Sequence, residues 1–330
     1  MVEQAPSAVA ALLGAPANGV IFVSGGTEAN NLALLGCGRD RILVSAVEHD
    51  SVLQAVPEAE RIPVDRGGVV MLDTLKRLLA ADQRPALVSV MLANNETGVM
   101  QPVAAISALA REYGALFHCD AVQAAGKIEL DASMIGADLI TLSAHKLGGP
   151  PGVGALVVTG ELEVMPLLRG GGQEHRRRAG TENLPGIAGF AAAAGAAKKE
   201  ISVYDGLRAL RDTLEERVLA AAPEAVVLGA RAERLPNTAA IAMPGIAAET
   251  QVIALDLDGV MVSAGAACSS GKVGPSHVLE AMGLGSDLVG STIRVSLGWA
   301  SSEADVAHFL EAWTALYRRC RGSYARRRAA

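Results

Sequence analysis

Aromatic side chains are scarce in this 330-residue chain, at 3% of the residues. Its core must therefore be built from small and aliphatic side chains, which lets helices and sheet approach closely. Cysteine is scarce too. Cys37, Cys119, Cys268 and Cys320 are widely scattered, with no Cys-x-x-Cys, which argues against a secreted disulfide framework. No uninterrupted apolar run of about 18 residues with interfacial anchors occurs, which speaks against a membrane span. The N-terminus lacks the basic start and apolar run of a signal peptide. A basic excess is absent as well: 29 Lys+Arg against 35 Asp+Glu leave a net charge of −6. Counterion release needs a basic footprint, so a general nucleic-acid binder is disfavoured, and Arg326, Arg327 and Arg328 read as a solvated tail. The expectation is a cytoplasmic protein with reduced thiols that contacts neither membrane nor nucleic acid directly.

What is present is a chain 50% hydrophobic, rich in alanine and holding 36 glycines, long enough for two domains. Short apolar runs at 20–23, 41–46, 86–92, 115–119, 139–143 and 154–158 alternate with helical patterns at 28–35, 72–80 and 103–113. Continuous rather than alternating apolar runs imply an α/β fold with a mostly parallel sheet covered on both faces. A long alanine-rich helical stretch, roughly 184–222, follows a glycine-rich loop. Beyond it lies a smaller α+β region with strands expected at 225–228, 238–243, 260–263 and 293–297. Its last helix starts after Ser302, where Asp305 gives a partial capping signal.

In open parallel sheets ligands bind beyond the carboxyl ends of the strands, so the residues after each run matter most. The first run leads into Gly26 and Thr27 at a helix start, where exposed N–H groups can hold a phosphate, although Gly-Gly-Thr is also a common turn. The Gly-x-Gly-x-x-Gly spacing of a dinucleotide site is missing. Later runs end in Glu48 and His49, in His118 to Gln123, and in Ser143 to Lys146. His118, Cys119 and Asp120 make a poor metal trio, because successive strand residues face opposite ways. Lys146 heads a glycine-rich loop; it is either a surface residue before a turn or a desolvated amine nucleophile. Pyridoxal phosphate uses all these groups at once: a lysine for its aldehyde, an acid for its ring nitrogen and a phosphate cradle. Asp120 would sit beside the ring nitrogen, His49 on the ring face and Gln123 at the ring hydroxyl. Gly26, Thr27, Ser143 and His145 would hold the phosphate.

Eight motifs then carry a resemblance. They are Ser-Gly-Gly-Thr-Glu-Ala-Asn-Asn at 24–31, Asn-Asn-Glu-Thr-Gly at 94–98, Asp-Ala-Val-Gln at 120–123, Ser-Ala-His-Lys at 143–146, Gly-Gly-Gly-Gln-Glu at 170–174, Arg-Ala-Gly-Thr-Glu-Asn at 178–183, Ser-Ala-Gly-Ala-Ala-Cys-Ser-Ser at 263–270 and Ile-Arg-Val-Ser-Leu-Gly at 293–298. In this order, over nearly the whole chain, they resemble the cysteine desulfurases of the class-V aminotransferase group. The resemblance implies a fold-type I, aspartate-aminotransferase-like architecture with a seven-stranded-type sheet, in a homodimer. It places a cofactor domain at residues 1–205 and a smaller domain with the cysteine loop at 206–330.

The same resemblance implies Lys146 as the Schiff-base lysine and Cys268 as the sulfur-accepting nucleophile. It puts Arg294 on the carboxylate of L-cysteine, Asn95 near substrate and cofactor, and Thr181 at the phosphate of the neighbouring subunit. His49 would serve the substrate thiol as an acid–base group, imidazole being the side chain that ordinarily titrates near neutrality. The long polar loop after Cys268 is similar to the branch serving iron–sulfur and nitrogenase cluster assembly. That implies an iron–sulfur scaffold or another sulfur-acceptor protein as partner. No permanent metal is expected; Cys268 could touch a cluster only transiently. Set against the resemblance, the expectation is a chain shortened at its N-terminus, without the family's segment before the first helix. Competing readings are a selenocysteine lyase-like enzyme and a non-catalytic relative that docks on a scaffold.

Overall fold

The computed structural model describes residues 2–265 and 274–328. Two compact units are formed, one from residues 1–64, 69–94 and 100–202, the other from 65–68, 95–99 and 203–330.

The first unit is built on seven strands: β1 (Val20–Val23), β2 (Arg41–Ser45), β3 (Glu60–Ile62), β4 (Ala86–Ser89), β5 (Leu116–Asp120), β6 (Leu139–Ser143) and β7 (Gly154–Val158). Their order across the sheet is β1-β7-β6-β5-β4-β2-β3. Strands β6, β5, β4, β2 and β3 are mutually parallel, while β7 is antiparallel to β6 and β1. Strand β1 thus points the same way as the parallel five. The sheet is mostly parallel, as expected, with β7 reversed because the short link 144–153 returns directly instead of crossing over. Every residue of β1, β4, β6 and β7 is buried, which explains their continuous apolar sequences.

Strand β3 was not legible. It sits at the sheet edge, and only Ile62 of its three residues is buried. The helices Gly26–Gly36, Leu72–Ala81 and Val103–Glu112 lie where helical periodicity put them. In the second of these, Leu75 and Leu79 fall one turn apart and turn into the core. The expected stretch over 184–222 is two helices, Leu184–Lys199 and Ile201–Ala221. They separate at Glu200, whose N–H is taken by the carbonyls of Ala196 and Ala197. Phe22 and Phe190 meet edge to face at 6.3 Å, an aromatic contact in a core that is mostly aliphatic.

Two buried details fix the strand ends of this unit. His118 on β5 shares hydrogen bonds with Ser89 Oγ on β4 (2.8 Å) and Thr141 Oγ1 on β6 (3.0 Å), so its ring ties three strands together. Burial alone drives its pKa down to about 3, which keeps the ring neutral. His118 is thus occupied structurally, and no metal-holding group of His, Cys, Asp or Glu occurs among the described residues. Gly154, the first residue of β7, lies against Gly25: a Cβ on Gly154 would come within 2.8 Å of the Gly25 Cα. Only two glycines let β7 press so closely on the turn after β1.

The second unit has an antiparallel sheet of β8 (Val226–Val227), β9 (Thr238–Ala242), β10 (Ser263–Ala264) and β11 (Thr292–Ser296), ordered β10-β11-β9-β8. The helices Ile201–Ala221, Ala248–Leu257 and Glu303–Arg328 supply its core with Leu214, Val218, Leu255, Phe309 and Trp313, against Ile241 and Ile293 from the sheet. At the start of the last helix the partial signal becomes a reciprocal cap. The Ser302 N–H donates to Asp305 Oδ2 at 2.8 Å, and the Asp305 N–H donates back to Ser302 Oγ at 3.4 Å. No described helix is long and apolar enough to cross a membrane.

Candidate functional site

Because β1, β2, β5 and β6 point the same way, the residues that follow them gather on one edge of the first unit's sheet. Asp120, the last residue of β5, is the centre of that group and is only 6% exposed. The Val122 N–H donates to its Oδ1 at 2.9 Å and Asn30 Nδ2 to its Oδ2 at 2.8 Å. Burial nevertheless raises its pKa, against those two hydrogen bonds and the nearby positive charges of His49 and Lys146. Three expected site residues from three strand ends are therefore within electrostatic reach of one another.

Among the described residues no guanidinium or ammonium bonds Asp120 directly, so its buried carboxylate lacks a close cation. A protonated ring nitrogen would supply one. The phosphate end fits as well. The helix Gly26–Gly36 has no side-chain cap, which leaves its first N–H groups facing outward. A Cβ on Gly26 would lie 3.5 Å from Ser143 Cβ, so the serine stands directly against the helix start. Ser143 Oγ and His145 Nδ1 share a hydrogen bond of 3.0 Å. Burial first, then the Lys146 charge, lowers the pKa of His145. Hydroxyl, imidazole and helix N-terminus form a cradle suited to a phosphate.

Gln123 sits at the same strand end, and its amide is oriented. Lys127 Nζ donates to the Gln123 carbonyl at 2.7 Å and to Oε1 at 3.1 Å. An ammonium can only donate, so it holds the amide oxygen and turns Nε2 outward as a donor. That is the polarity needed to meet a phenolic oxygen. The residues present therefore fit pyridoxal phosphate at both ends of the ring.

Thr181 is exposed and has no hydrogen bond among the described residues. It lines a hollow with Phe22, Ser24, Arg178 and Asn183. The preceding loop is anchored to the sheet edge: Glu174 Oε2 accepts from the Phe22 N–H of β1 at 3.0 Å, and Arg178 pairs with Glu28 at 2.8 Å. Holding it costs strain, since Glu174, His175 and Arg176 all have positive φ, at 47°, 55° and 67°.

Arg294 and Asn95 belong to the second unit. Arg294 Nη1 donates to the Asn95 carbonyl at 2.8 Å and Nη2 to Ser263 Oγ at 3.1 Å. Its Nε is buried and has no partner among the described residues. A guanidinium carries five N–H donors, so Nε and one hydrogen on each terminal nitrogen remain for a carboxylate. Cys268, expected as the nucleophile, lies outside the described residues.

Sequence reading had not singled out Asn30, Ser51 or Lys127, which touch and orient the site residues. Asn30 left one trace: a polar side chain inside the apolar stripe Ala29, Leu32 and Ala33 of its helix, where only a buried partner can satisfy it.

The model of the family "Aminotransferase class-V" matches residues 1–309. The cysteine desulfurase of Gluconacetobacter diazotrophicus is 42% identical over 316 residues, 91% of this chain and 78% of that protein. Cysteine desulfurase IscS of Dictyoglomus turgidum is 39% identical over 324 residues, covering 94% of this chain and 82% of the relative. Among solved structures, a NifS-like protein from Rickettsia africae superposes with a TM-score of 0.88 at 34% identity, over 96% of this chain and 88% of that one. Class-V aminotransferases and cysteine desulfurases depend on pyridoxal phosphate, the group that the strand-end residues fit. The sequence motifs, the sheet and these likenesses agree, and the chain belongs to the cysteine desulfurase family of class-V aminotransferases.

Proposed function

We propose that this chain converts L-cysteine to L-alanine and hands the sulfur, as a persulfide on Cys268, to an acceptor protein. The observation that carries the reading is the buried Asp120 carboxylate within reach of the charges of Lys146 and His49. Bound pyridoxal phosphate supplies an electron sink that acidifies the substrate Cα–H and makes its sulfur electrophilic. Asp120 would keep the ring nitrogen protonated, and Gly26, Thr27, Ser143 and His145 would hold the phosphate. Gln123 would donate to the ring oxygen. Lys146 would hold the aldehyde and, once released, move the Cα proton.

Arg294 would bind the substrate carboxylate, with Asn95 beside substrate and cofactor. The Cys268 thiolate would attack the substrate sulfur. The carbon–sulfur bond breaks, its electron pair stays with carbon, and a proton on that carbon completes the methyl group of alanine. In this assignment residues 1–205 bind the cofactor and 206–330 carry the cysteine loop. We further assign a cytoplasmic homodimer in which the exposed Thr181 reaches the partner subunit's phosphate, and an iron–sulfur scaffold as acceptor. Supporting the acceptor are the IscS and NifS-like names of the relatives.

The test is alanine formation from cysteine by the purified chain with added pyridoxal phosphate, read beside the cofactor's absorbance. Lys146→Ala should abolish turnover and the absorbance band of the lysine-bound cofactor. Cys268→Ala should keep the band and lose cysteine-dependent sulfide release. Turnover of selenocysteine but not cysteine, or bound cofactor with no alanine, would overturn the reading.

A further inference from the structure

Asn30 is 1% exposed and stands four residues after Gly26 on the same helix. Its Nδ2 gives one hydrogen to Asp120 Oδ2 and the other to Ser51 Oγ, both at 2.8 Å. Its Oδ1 is buried and has no hydrogen-bond partner among the described residues. The amide is therefore placed for its two donors, and its acceptor is left over. Turning it over would set Oδ1 against the Asp120 carboxylate and leave both N–H groups unpaired. Ser51 beside it is 8% exposed, so little water reaches this side of Asp120 to donate instead.

A buried carboxylate opposite a ring nitrogen shares one proton with it, and that proton settles on the stronger base. Burial makes Asp120 more basic than a carboxylate in water. Of the groups opposing this, the Asn30 hydrogen bond acts most strongly, ahead of the Val122 N–H and the charges of His49 and Lys146. An oxygen that already accepts from Asn30 has less hold on a further proton.

We infer that Asn30 is the positioning residue that keeps this proton on the ring nitrogen, by holding Asp120 Oδ2 as an acceptor. Asp120 then stays an anion beside a protonated ring, the state in which the cofactor draws electrons from the substrate. Asn30 lies one turn, about 6 Å, beyond Gly26. The helix that offers its N–H groups to the phosphate thus also sets the acid at the ring nitrogen. The inference rests on the cofactor reading of the site and not on the identity of the substrate.

The proton is read directly by loading the full chain with pyridoxal phosphate carrying 15N in its ring and recording the nitrogen spectrum at pH 8. The parent should give a pyridinium-type signal. Asn30→Leu fills the space of the amide and donates nothing. Its signal should move toward the neutral pyridine type, with the proton balance shifted about 10-fold toward Asp120. The kcat for alanine should fall with it, about 10-fold, with KM for cysteine little changed. Asn30→Ala leaves room for a water to donate in place of the amide, so its signal should move the same way by less. A purely structural loss would weaken cofactor binding and leave the ring's proton where it was.

An Asn30→Leu protein with the parent's ring signal would overturn the inference. Should that variant not hold the cofactor, an unshifted signal in Asn30→Ala does so. The spectra are taken without cysteine, so a parent with a protonated ring that forms no alanine counts against the proposed activity alone. A parent that binds no pyridoxal phosphate overturns both.

Discussion

The Lys127 ammonium grips Gln123 at two points, the backbone carbonyl at 2.7 Å and the side-chain oxygen at 3.1 Å. An amide has two chemically opposite ends, and this grip holds the oxygen, leaving the nitrogen for the cofactor contact proposed above. Lys127→Met should free the amide to turn and weaken cofactor binding about 5-fold, the worth of roughly one hydrogen bond. It should also shift the cofactor's absorbance maximum, because the ring oxygen loses a dependable donor. Lys127→Arg, which keeps a donor, should behave nearly as the parent. Equilibrium dialysis and absorbance spectra decide; a Lys127→Met protein identical to the parent in both would show that Gln123 needs no such guidance.

Asp120→Asn tests the ring-nitrogen contact. Burial already disfavours the Asp120 charge, so a cationic partner is what makes ionisation favourable. The amide oxygen can keep one of the two donors, Asn30 Nδ2 or the Val122 N–H, and the other loses its acceptor. A stability loss of about 1–3 kcal/mol without loss of the fold is expected. Alanine production should fall by at least about 100-fold while far-ultraviolet circular dichroism is unchanged. Activity within a few-fold of the parent would take Asp120 out of the chemistry.

His118 predicts a pH dependence of stability. Its folded pKa is depressed to about 3 from an ordinary value near 6.5. Between those values the unfolded chain binds a proton that the folded protein refuses. The contribution is whole above about pH 6.5 and is lost progressively as pH falls toward 3, at up to about 1.4 kcal/mol per pH unit. Urea midpoints measured from pH 8 down to pH 5 should fall more steeply for the parent than for His118→Gln. The variant should be the less stable of the two at pH 8. Parallel slopes would mean that the ring is not held neutral.

In the second unit, Arg234 and Glu215 form a two-pronged pair at 2.6 and 2.8 Å, with side chains 5% and 11% exposed. Glu215→Gln would leave a buried guanidinium without its counter-charge. The cost should be about 3–5 kcal/mol, visible as a large drop in the thermal unfolding temperature. Substituting both residues with apolar ones of similar volume should recover much of it. A loss below about 1 kcal/mol in the single variant would show that water reaches the pair.

What could be read from the sequence was whatever repeats along it. Four or five apolar residues in a row betray a strand buried on both faces, and β1, β6 and β7 were placed to the residue for that reason. Strand β3 escaped because an edge strand can carry Glu60 and Arg61, which leaves no apolar run. The break at Glu200 escaped because alanine-rich sequence on both sides looks equally helical. In the site, Asp120 and Lys146 were visible as unusual residues at strand ends. Asn30 and Ser51 were not, because their meaning lies in contacts with residues far along the chain, 90 positions away for Asn30 and Asp120.

The contact between Gly154 and Gly25 carries a last consequence, for anyone who would redesign this protein. A methyl group at position 154 would drive into the turn before the helix whose N–H groups are proposed to hold the phosphate, moving that helix start rather than a surface loop. A saturation library at that codon, screened for bound coenzyme, should return glycine alone, even though the residue meets no ligand itself. Tolerance to change at this rim is set by how near two stretches of main chain must lie.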